Sequence, residues 1–507
     1  HNIKLHKKDV SSPDQAMELM RTLHHYSQAI YNNLSHALEL PWEKYLSEMH
    51  EFAAPSSDVL QTVDAEDRIP NEWSTLTLIL SSSHPDIALV LFGTALSVFS
   101  EGLTPELCHD SIDRQLLTEL STEVGGNTVR VHAIDTTTRM VCDARAFVQP
   151  AIAGHDKLNF KTMCFLIEHD DPVSGKEYVL FDCGSRKDFW NGSPQTQRMI
   201  GGHVPAVDVE FGVDEILVKG GFDLEQLKAI VWSHWHWDHI GDGSKFPDST
   251  DIVVGPGFTQ NFIPGWPEDP ESFVLASDLA GHFIHEPHFN LEVAGYSAFD
   301  YFGDGSFYLL DVPGHALGHI CGFARTTPTS FVFMGGDCCH YAGMFRPSEL
   351  VPLPHEIVSD ALDLWYPKPC PCSLFTQHHP TASKFGSDEA RKIPFYQVSR
   401  DPGSAYSFGD VAQESIKKLE ALDAHPDILI ALAHDDVLFN IFPLFNQNPS
   451  HTINDWKSRG YKERSRWSFL NELPKDGKPG RGPLVTGLTG AGRQVTWHKD
   501  TGFVDAV

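Results

Sequence analysis

Ser233-His234-Trp235-His236-Trp237-Asp238-His239 decides how this chain is read, because three imidazoles and a carboxylate fall within residues 234–239. The run before it, Leu227-Lys228-Ala229-Ile230-Val231-Trp232, is apolar and short enough for a buried strand, so the cluster sits on the loop leaving a strand end. Alternate residues of an extended segment share a face. His234, His236 and Asp238 can therefore point one way while a turn brings His239 beside them. Neutral imidazoles and ionised carboxylates are the ligands that a borderline divalent cation prefers, and their density here suggests more than one ion. A solvated histidine-rich loop would hold the same residues, but such a loop rarely follows a buried strand and then closes on Gly241-Asp242-Gly243.

Further candidates follow other expected strands. In Asp311-Val312-Pro313-Gly314-His315 the proline and glycine turn the chain and leave an imidazole at the end of the strand Ser306 to Val312. The strand Phe331 to Met334 ends at Gly335-Gly336-Asp337, where a carboxylate has an oxygen for each of two cations; by itself, the segment would read as a turn aspartate. Asp410 is expected to cap an amphipathic helix with Ala412, Ile416, Leu419 and Leu422 on one face, and the apolar run 427–432 then leads to His434. His378-His379 and Cys370-Pro371-Cys372 lie in a proline-rich loop with no strand before them and are left out of the site. So are His282, His285 and His288, in an insertion or pocket wall spanning 256–288.

The His-x-His-x-Asp-His pattern, with histidine after Pro-Gly, aspartate after Gly-Gly and a late strand-end histidine, resembles the metallo-β-lactamase superfamily over about residues 125–460. That resemblance implies an α/β fold, the αββα sandwich, carrying here an N-terminal helical extension. It also implies a ligand set: His234, His236 and His315 on a first metal, Asp238, His239 and His434 on a second, Asp337 and a water bridging them, and His319 structural. Asp182, in Asp182-Cys183-Gly184 after the strand Val179 to Phe181, resembles the residue that orients a ligand; a simple turn former before glycine is the competing reading. Lactonases of the family often carry a tyrosine shortly after the bridging aspartate. Here Cys338-Cys339-His340-Tyr341 follows, which makes His340 and Tyr341 the candidates for assisting an oxyanion.

The all-nitrogen-and-oxygen set resembles the quorum-quenching lactonases, glyoxalase II and a fungal group that includes lactamases acting on benzoxazolinone-type compounds. The implied enzyme is a hydrolase with two divalent ions, zinc expected and iron or manganese also compatible. It would open a lactone or lactam by attack of a bridging hydroxide, with Asp238 orienting the nucleophile or carrying a proton. An acyl thioesterase of glyoxalase II type and a di-iron oxidoreductase or dioxygenase are the alternatives.

Composition narrows the partners. A net charge of −30 argues against nucleic acid and anionic membranes, and it favours a neutral or apolar small-molecule substrate. The run Ile87 to Phe99 is too short to span a bilayer. Nine cysteines without framework spacing predict reduced thiols in a cytoplasmic protein; because the chain starts at His1, a secretory leader stays open. Residues 1–122 are expected to form a helical region, opened by Ser12-Pro13-Asp14-Gln15, that serves as a homodimer arm, a lid or a separate module. Residues 123–507 form the catalytic domain. Its expected strands include Val129 to Ile134 and Thr162 to Glu168, and a loop-like stretch from Arg186 to Gly221, with Arg198, His203 and Asp208, is the place to look for substrate contacts.

Overall fold

Alternation along the strands decides what each sheet buries. In Gly175–Phe181, Val179 and Phe181 turn one way and Leu180 the other; in Phe307–Asp311, Phe307 and Leu309 join Val179 and Phe181 while Leu310 faces a different core. Two sheets with such strands bury one face against each other and the second face under helices. The computed structural model describes residues 126–358, 361–382, 386–475 and 477–506 of the chain, and within them this is the arrangement found.

The larger sheet has ten strands, in the order Gly502–Asp505, Arg493–His498, Leu488–Gly490, Ala206–Val209, Arg130–Asp143, Lys157–Asp171, Gly175–Phe181, Leu227–Val231, Asp251–Val253 and Ile284–His285. The smaller has six: Ile428–Ala431, Ser330–Met334, Ile320–Thr327, Phe307–Asp311, Tyr296–Asp300 and Leu291–Val293. Between them Phe165, Phe181 and Val231 meet Leu309, Val332 and Leu429. Outside the larger sheet, Ile216 and Leu217 of the helix Val213–Lys219 and Phe258 and Phe262 of a second helix cover Leu180, Ile230 and Trp232. Outside the smaller sheet, the helix Gly409–Ala424 lays Ala412, Ile416, Leu419 and Leu422 on Leu310, Phe333 and Ile430. The layers are αββα. Each fully buried aliphatic or aromatic side chain in them is worth roughly 1.5–3 kcal/mol.

Several elements differ from the sequence reading. The strand expected at Val129 to Ile134 is the fourteen-residue Arg130–Asp143, because past an irregularity between Asp135 and Arg139 it pairs with both Lys157–Asp171 and Ala206–Val209. The expected loop between Arg186 and Gly221 contains two helices and a strand. The first helix, Pro194–His203, starts where Ser193 accepts the Thr196 N–H and proline occupies its first turn. Gly201-Gly202 weakens its helical signal, yet a Cβ on Gly201 would lie 2.1 Å from the Trp497 ring, which packs there. Trp497 belongs to strands at 488–505, beyond the expected core limit near 460, that extend the larger sheet through a parallel pairing with Ala206–Val209. Asp410 does not cap the helix Gly409–Ala424; Phe408 holds that position, and Asp410 instead meets Arg400 at 2.6 Å. The expected helical region 1–122 lies outside the described residues. Among the described residues no helix is long and apolar enough to cross a membrane.

A buried ion pair fixes the chain just after the candidate ligand Asp337. Arg346 and Asp423 are 3% and 1% exposed, with Arg346 Nη2 2.7 Å from Asp423 Oδ1 and Nε 3.0 Å from Oδ2. Removing one partner leaves a buried charge uncompensated. Arg346→Met is expected to cost about 3–5 kcal/mol in urea unfolding; a loss under about 1 kcal/mol would mean that Arg466, 3.7 Å from the same carboxylate, replaces it.

Candidate metal centre

Strand direction gathers the candidate ligands at one edge. Gly175–Phe181 runs parallel to Leu227–Val231, so Asp182 and Ser233 emerge side by side. In the smaller sheet Ser330–Met334 runs parallel to Ile428–Ala431, with Met334 opposite Ala431, so Asp337 and His434 leave together. Phe307–Asp311 points the same way through two successive antiparallel pairings and delivers His315. Clefts at the carboxyl ends of strands are where α/β sheets present their ligand sites.

The strand ends at Val231, the chain bends through residues 233–235, and after His236 it winds into a short helix, Trp237–Ile240. Bends in the loop, not strand alternation, bring His234 and His236 into one group. The expectation that Asp238 shares their face is corrected: the helix carries Asp238 and His239 towards His434, with Asp238 Oδ2 3.5 Å from Nε2 of each histidine.

Three overlapping groups of donor atoms result: His234, His236, His315 and Asp337; Asp238, His239 and His434; and Asp337, His340 and His434. His315 Nε2 is 3.2 Å from His234 Nε2 and 2.9 Å from His236 Nδ1. Asp337 stands between the groups. Its Oδ2 is 3.3 Å and 3.6 Å from Nε2 of His315 and His234, and its Oδ1 is 3.1 Å and 3.0 Å from Nε2 of His239 and His434.

This donor set fits divalent cations. His239 Nε2 and Asp337 Oδ1 are buried without a hydrogen-bond partner although they lie 3.1 Å apart, an arrangement that suits an ion between them better than a direct bond. Burial, helped by neighbouring imidazoles, holds His234 and His236 well below the ordinary histidine range, so their lone pairs are available. Burial acts the same way on His239, but the carboxylates of Asp337, Asp182 and Asp238 outweigh it and lift His239 well above that range. This side of the cluster demands positive charge.

Groups behind the ligands set their orientation. His239 donates from Nδ1 to Asp182 Oδ2 at 2.8 Å, and Asp182 also accepts the Ser233 N–H at 2.7 Å, so Asp182 orients a candidate ligand. His434 donates from Nδ1 to the Lys161 carbonyl at 3.0 Å. His319 donates to Val312 O and accepts the Asp337 N–H, both at 3.0 Å; with both ring nitrogens engaged it braces the Asp337 loop. Before His315, Gly314 adopts φ +129°, and a Cβ there would come within 2.2 Å of Ala412 N. Only glycine lets the helix Gly409–Ala424 press this loop into place.

The cluster opens into a cavity of about 750 Å³ walled by Met140, Phe147, Phe160, Met199, Trp235 and Trp237. His340 lines it, 4% exposed, with Nε2 3.0 Å from Asp337 Oδ2, and burial pulls its imidazole down to about 4. Tyr341 does not line it. Its hydroxyl donates to Phe469 O at 2.7 Å and its ring packs on His155 and Tyr396. Of the candidates Arg198, His203 and Asp208, His203 reaches the cavity, Arg198 is not among its lining residues, and Asp208 sits in the sheet opposite Arg139. Among the described residues, His282, His285, His288, Cys370, Cys372, His378 and His379 join no ligand group. The sequence reading missed Tyr406, whose hydroxyl lies 2.7 Å from His340 Nδ1; no motif marks Ser404-Ala405-Tyr406, and only the tertiary contact reveals it.

Because Asp182 fixes both Ser233 and His239, Asp182→Ala is expected to weaken metal binding about 10–100-fold while leaving the circular dichroism spectrum intact. Chelator competition measures this, and an unchanged affinity would reduce Asp182 to a turn former.

Residues 159–327 match the Metallo-beta-lactamase superfamily. Gamma-lactamase FDB1 of Fusarium pseudograminearum (strain CS3096) is 40% identical over 356 residues, covering 68% of this chain and 83% of its own. Metallo-hydrolase mfmC of Annulohypoxylon moriforme is 38% identical over 353 residues, covering 68% and 88%. Among solved structures, B. thuringiensis AiiA with N-decanoyl-L-homoserine at its active site aligns over 64% of this chain and 99% of its own, at 17% identity and a TM-score of 0.40. Sharing 40% identity with a relative that it covers over 83% of that protein's length, the chain belongs to the metallo-β-lactamase superfamily and is a metal-dependent hydrolase of that family.

Proposed function

We propose that the chain opens a cyclic amide or ester, a lactam or lactone, at a dinuclear metal centre. The reading rests on one observation above all, the division of Asp337: one carboxylate oxygen faces His234 and His315, the other His239 and His434, at 3.0–3.6 Å throughout. A carboxylate split between two imidazole groups is the donor geometry of a pair of cations. The name of one relative, a gamma-lactamase, supports ring opening as the reaction, and that of the other, a metallo-hydrolase, supports hydrolysis.

Two divalent ions, zinc foremost, would supply an electrophile for the carbonyl and bring the pKa of water to about 7. Everything else falls to the protein. His234, His236 and His315 offer neutral nitrogens for one ion; His239, His434 and Asp238 serve the other, with Asp337 common to both. Asp238 lines the cavity and is held below the usual carboxylate range, because the imidazoles of His239 and His434 outweigh the opposing effect of burial. It is the acceptor that takes a proton from the attacking water and passes it to the leaving nitrogen or oxygen. His340 offers a ring N–H beside Asp337, where the carbonyl oxygen gains charge as the ring opens. The thioether and aromatic walls suit a neutral or apolar small molecule, whose removal from water assists binding.

Elemental analysis of the purified protein, followed by a pH-stat screen of lactams, lactones and thioesters, tests the proposal. About two equivalents of zinc with acid release from a ring substrate is the expected result; preference for thioesters, or two equivalents of iron with oxygen uptake, would move the assignment to a thioesterase or an oxidoreductase. His236→Ala and Asp337→Ala are each expected to lower hydrolysis more than about 100-fold in folded protein, since even groups behind the ligands are worth 10–100-fold. Near-normal turnover in either variant would remove the dinuclear assignment.

A further inference from the structure

The loop at 399–408 ties together three parts of the site that are far apart in sequence. Ala405 N–H donates to Ala146 O at 2.8 Å, next to Phe147 on the cavity wall. Ser407 and Phe408 donate to the carbonyls of His315 and Gly314 at 2.8 Å and 2.9 Å. Between these anchors Tyr406, 4% exposed, turns inward, its ring edge-on to His315 at 5.3 Å and to His340 at 5.1 Å.

The hydrogen bonds around His340 then have one consistent direction. Ionised Asp337 only accepts, so the 3.0 Å bond between His340 Nε2 and Asp337 Oδ2 puts the ring proton on Nε2. Nδ1 is left with a lone pair, which accepts the Tyr406 O–H at 2.7 Å. The opposite arrangement would have Nδ1–H donate to Tyr406, pass the Tyr406 hydroxyl proton to Met344 Sδ at 3.7 Å, and turn a bare Nε2 towards Asp337 as an additional metal ligand. It replaces a short bond to nitrogen with a long one to sulfur, a weak acceptor.

We propose that Tyr406 is a positioning residue: its hydroxyl locks His340 in the Nε2-protonated tautomer and holds that N–H on Asp337 Oδ2 at the mouth of the metal cluster, where a substrate oxygen gaining charge shares it as a preplaced hydrogen-bond donor. The proposal rests on the hydrolytic reading above for the donor's purpose, but the tautomer itself does not depend on it. The loop's bonds to Ala146 and His315 make the lock part of the same unit that shapes the cavity wall and sets a candidate ligand. Preorganised donors of this kind act by being in place before charge develops.

The test uses metal-loaded wild type, Tyr406→Phe, His340→Gln and the double variant. Ring 15N–1H correlation spectra, with the His340 signals assigned by their loss in His340→Gln, are expected to give the neutral Nε2–H form in wild type and a mixture of tautomers in Tyr406→Phe. On the ring substrate found by the pH-stat screen, Tyr406→Phe is expected to keep its metal content and KM within about twofold and to lose about tenfold in kcat, as expected for one hydrogen bond made in the transition state. In the His340→Gln background the same change is expected to have no further effect. An Nδ1-protonated His340 in wild type, loss of metal in both single variants, or unchanged kcat in Tyr406→Phe would each overturn the assignment, the second making His340 a ligand. Should wild type open no ring at all, the hydrolytic reading fails by itself, and the spectra still decide the tautomer.

Discussion

A carboxylate that is 3% exposed and ringed by imidazoles is the constraint on which the rest of this structure depends. Asp337 is held well below the usual carboxylate range because His239, His434 and His340 overcome the effect of its burial. An ionised group so deep in a protein is tolerated only with compensating charge and hydrogen bonds on every side. Its backbone N–H is met by His319 and Oδ2 by His340, while Oδ1 is buried without a hydrogen-bond partner. Both sheets, four strand ends and a helix are arranged around that requirement.

The supporting bonds follow a hierarchy. Asp182 ties the metal loop to the neighbouring strand through Ser233 and His239, the Lys161 carbonyl turns His434, and the helix Gly409–Ala424 sets the approach of His315 through Gly314. In each case an element built for packing also removes a rotational freedom from a candidate ligand, so burial of apolar surface and orientation of the site share the same residues. Arg346 and Asp423 extend this further, anchoring the chain that follows Asp337 to the end of the helix that braces His315.

The cavity is assembled differently. Its walls come from the long first strand, the helix Pro194–His203 and the loop at 399–408, and the helix is itself supported by Trp497 near the end of the chain. Trp235 and Trp237 of the histidine-rich loop complete the wall, so the same loop supplies candidate ligands and cavity surface.

What the sequence alone indicated was the candidate donor set, and the αββα sandwich came with the family resemblance that those residues carry. His234, His236, Asp238, His239, His315, Asp337 and His434 were legible because each stands directly after an apolar run bounded by turn residues, a local signal that period and composition carry. Only the tertiary structure decided the rest. The short helix Trp237–Ile240 split Asp238 from His234 and His236; Phe469, more than a hundred residues away, took the hydroxyl of Tyr341; and Tyr406 entered through a contact spanning 66 residues. The strands at 488–505 and the helix in the expected loop were likewise invisible, since their stability comes from pairing with Ala206–Val209 and from the fit of Trp497 over Gly201. Neighbours along the chain fix which groups stand at a strand's end, but the direction a side chain takes once there is set by partners that only folding brings within reach.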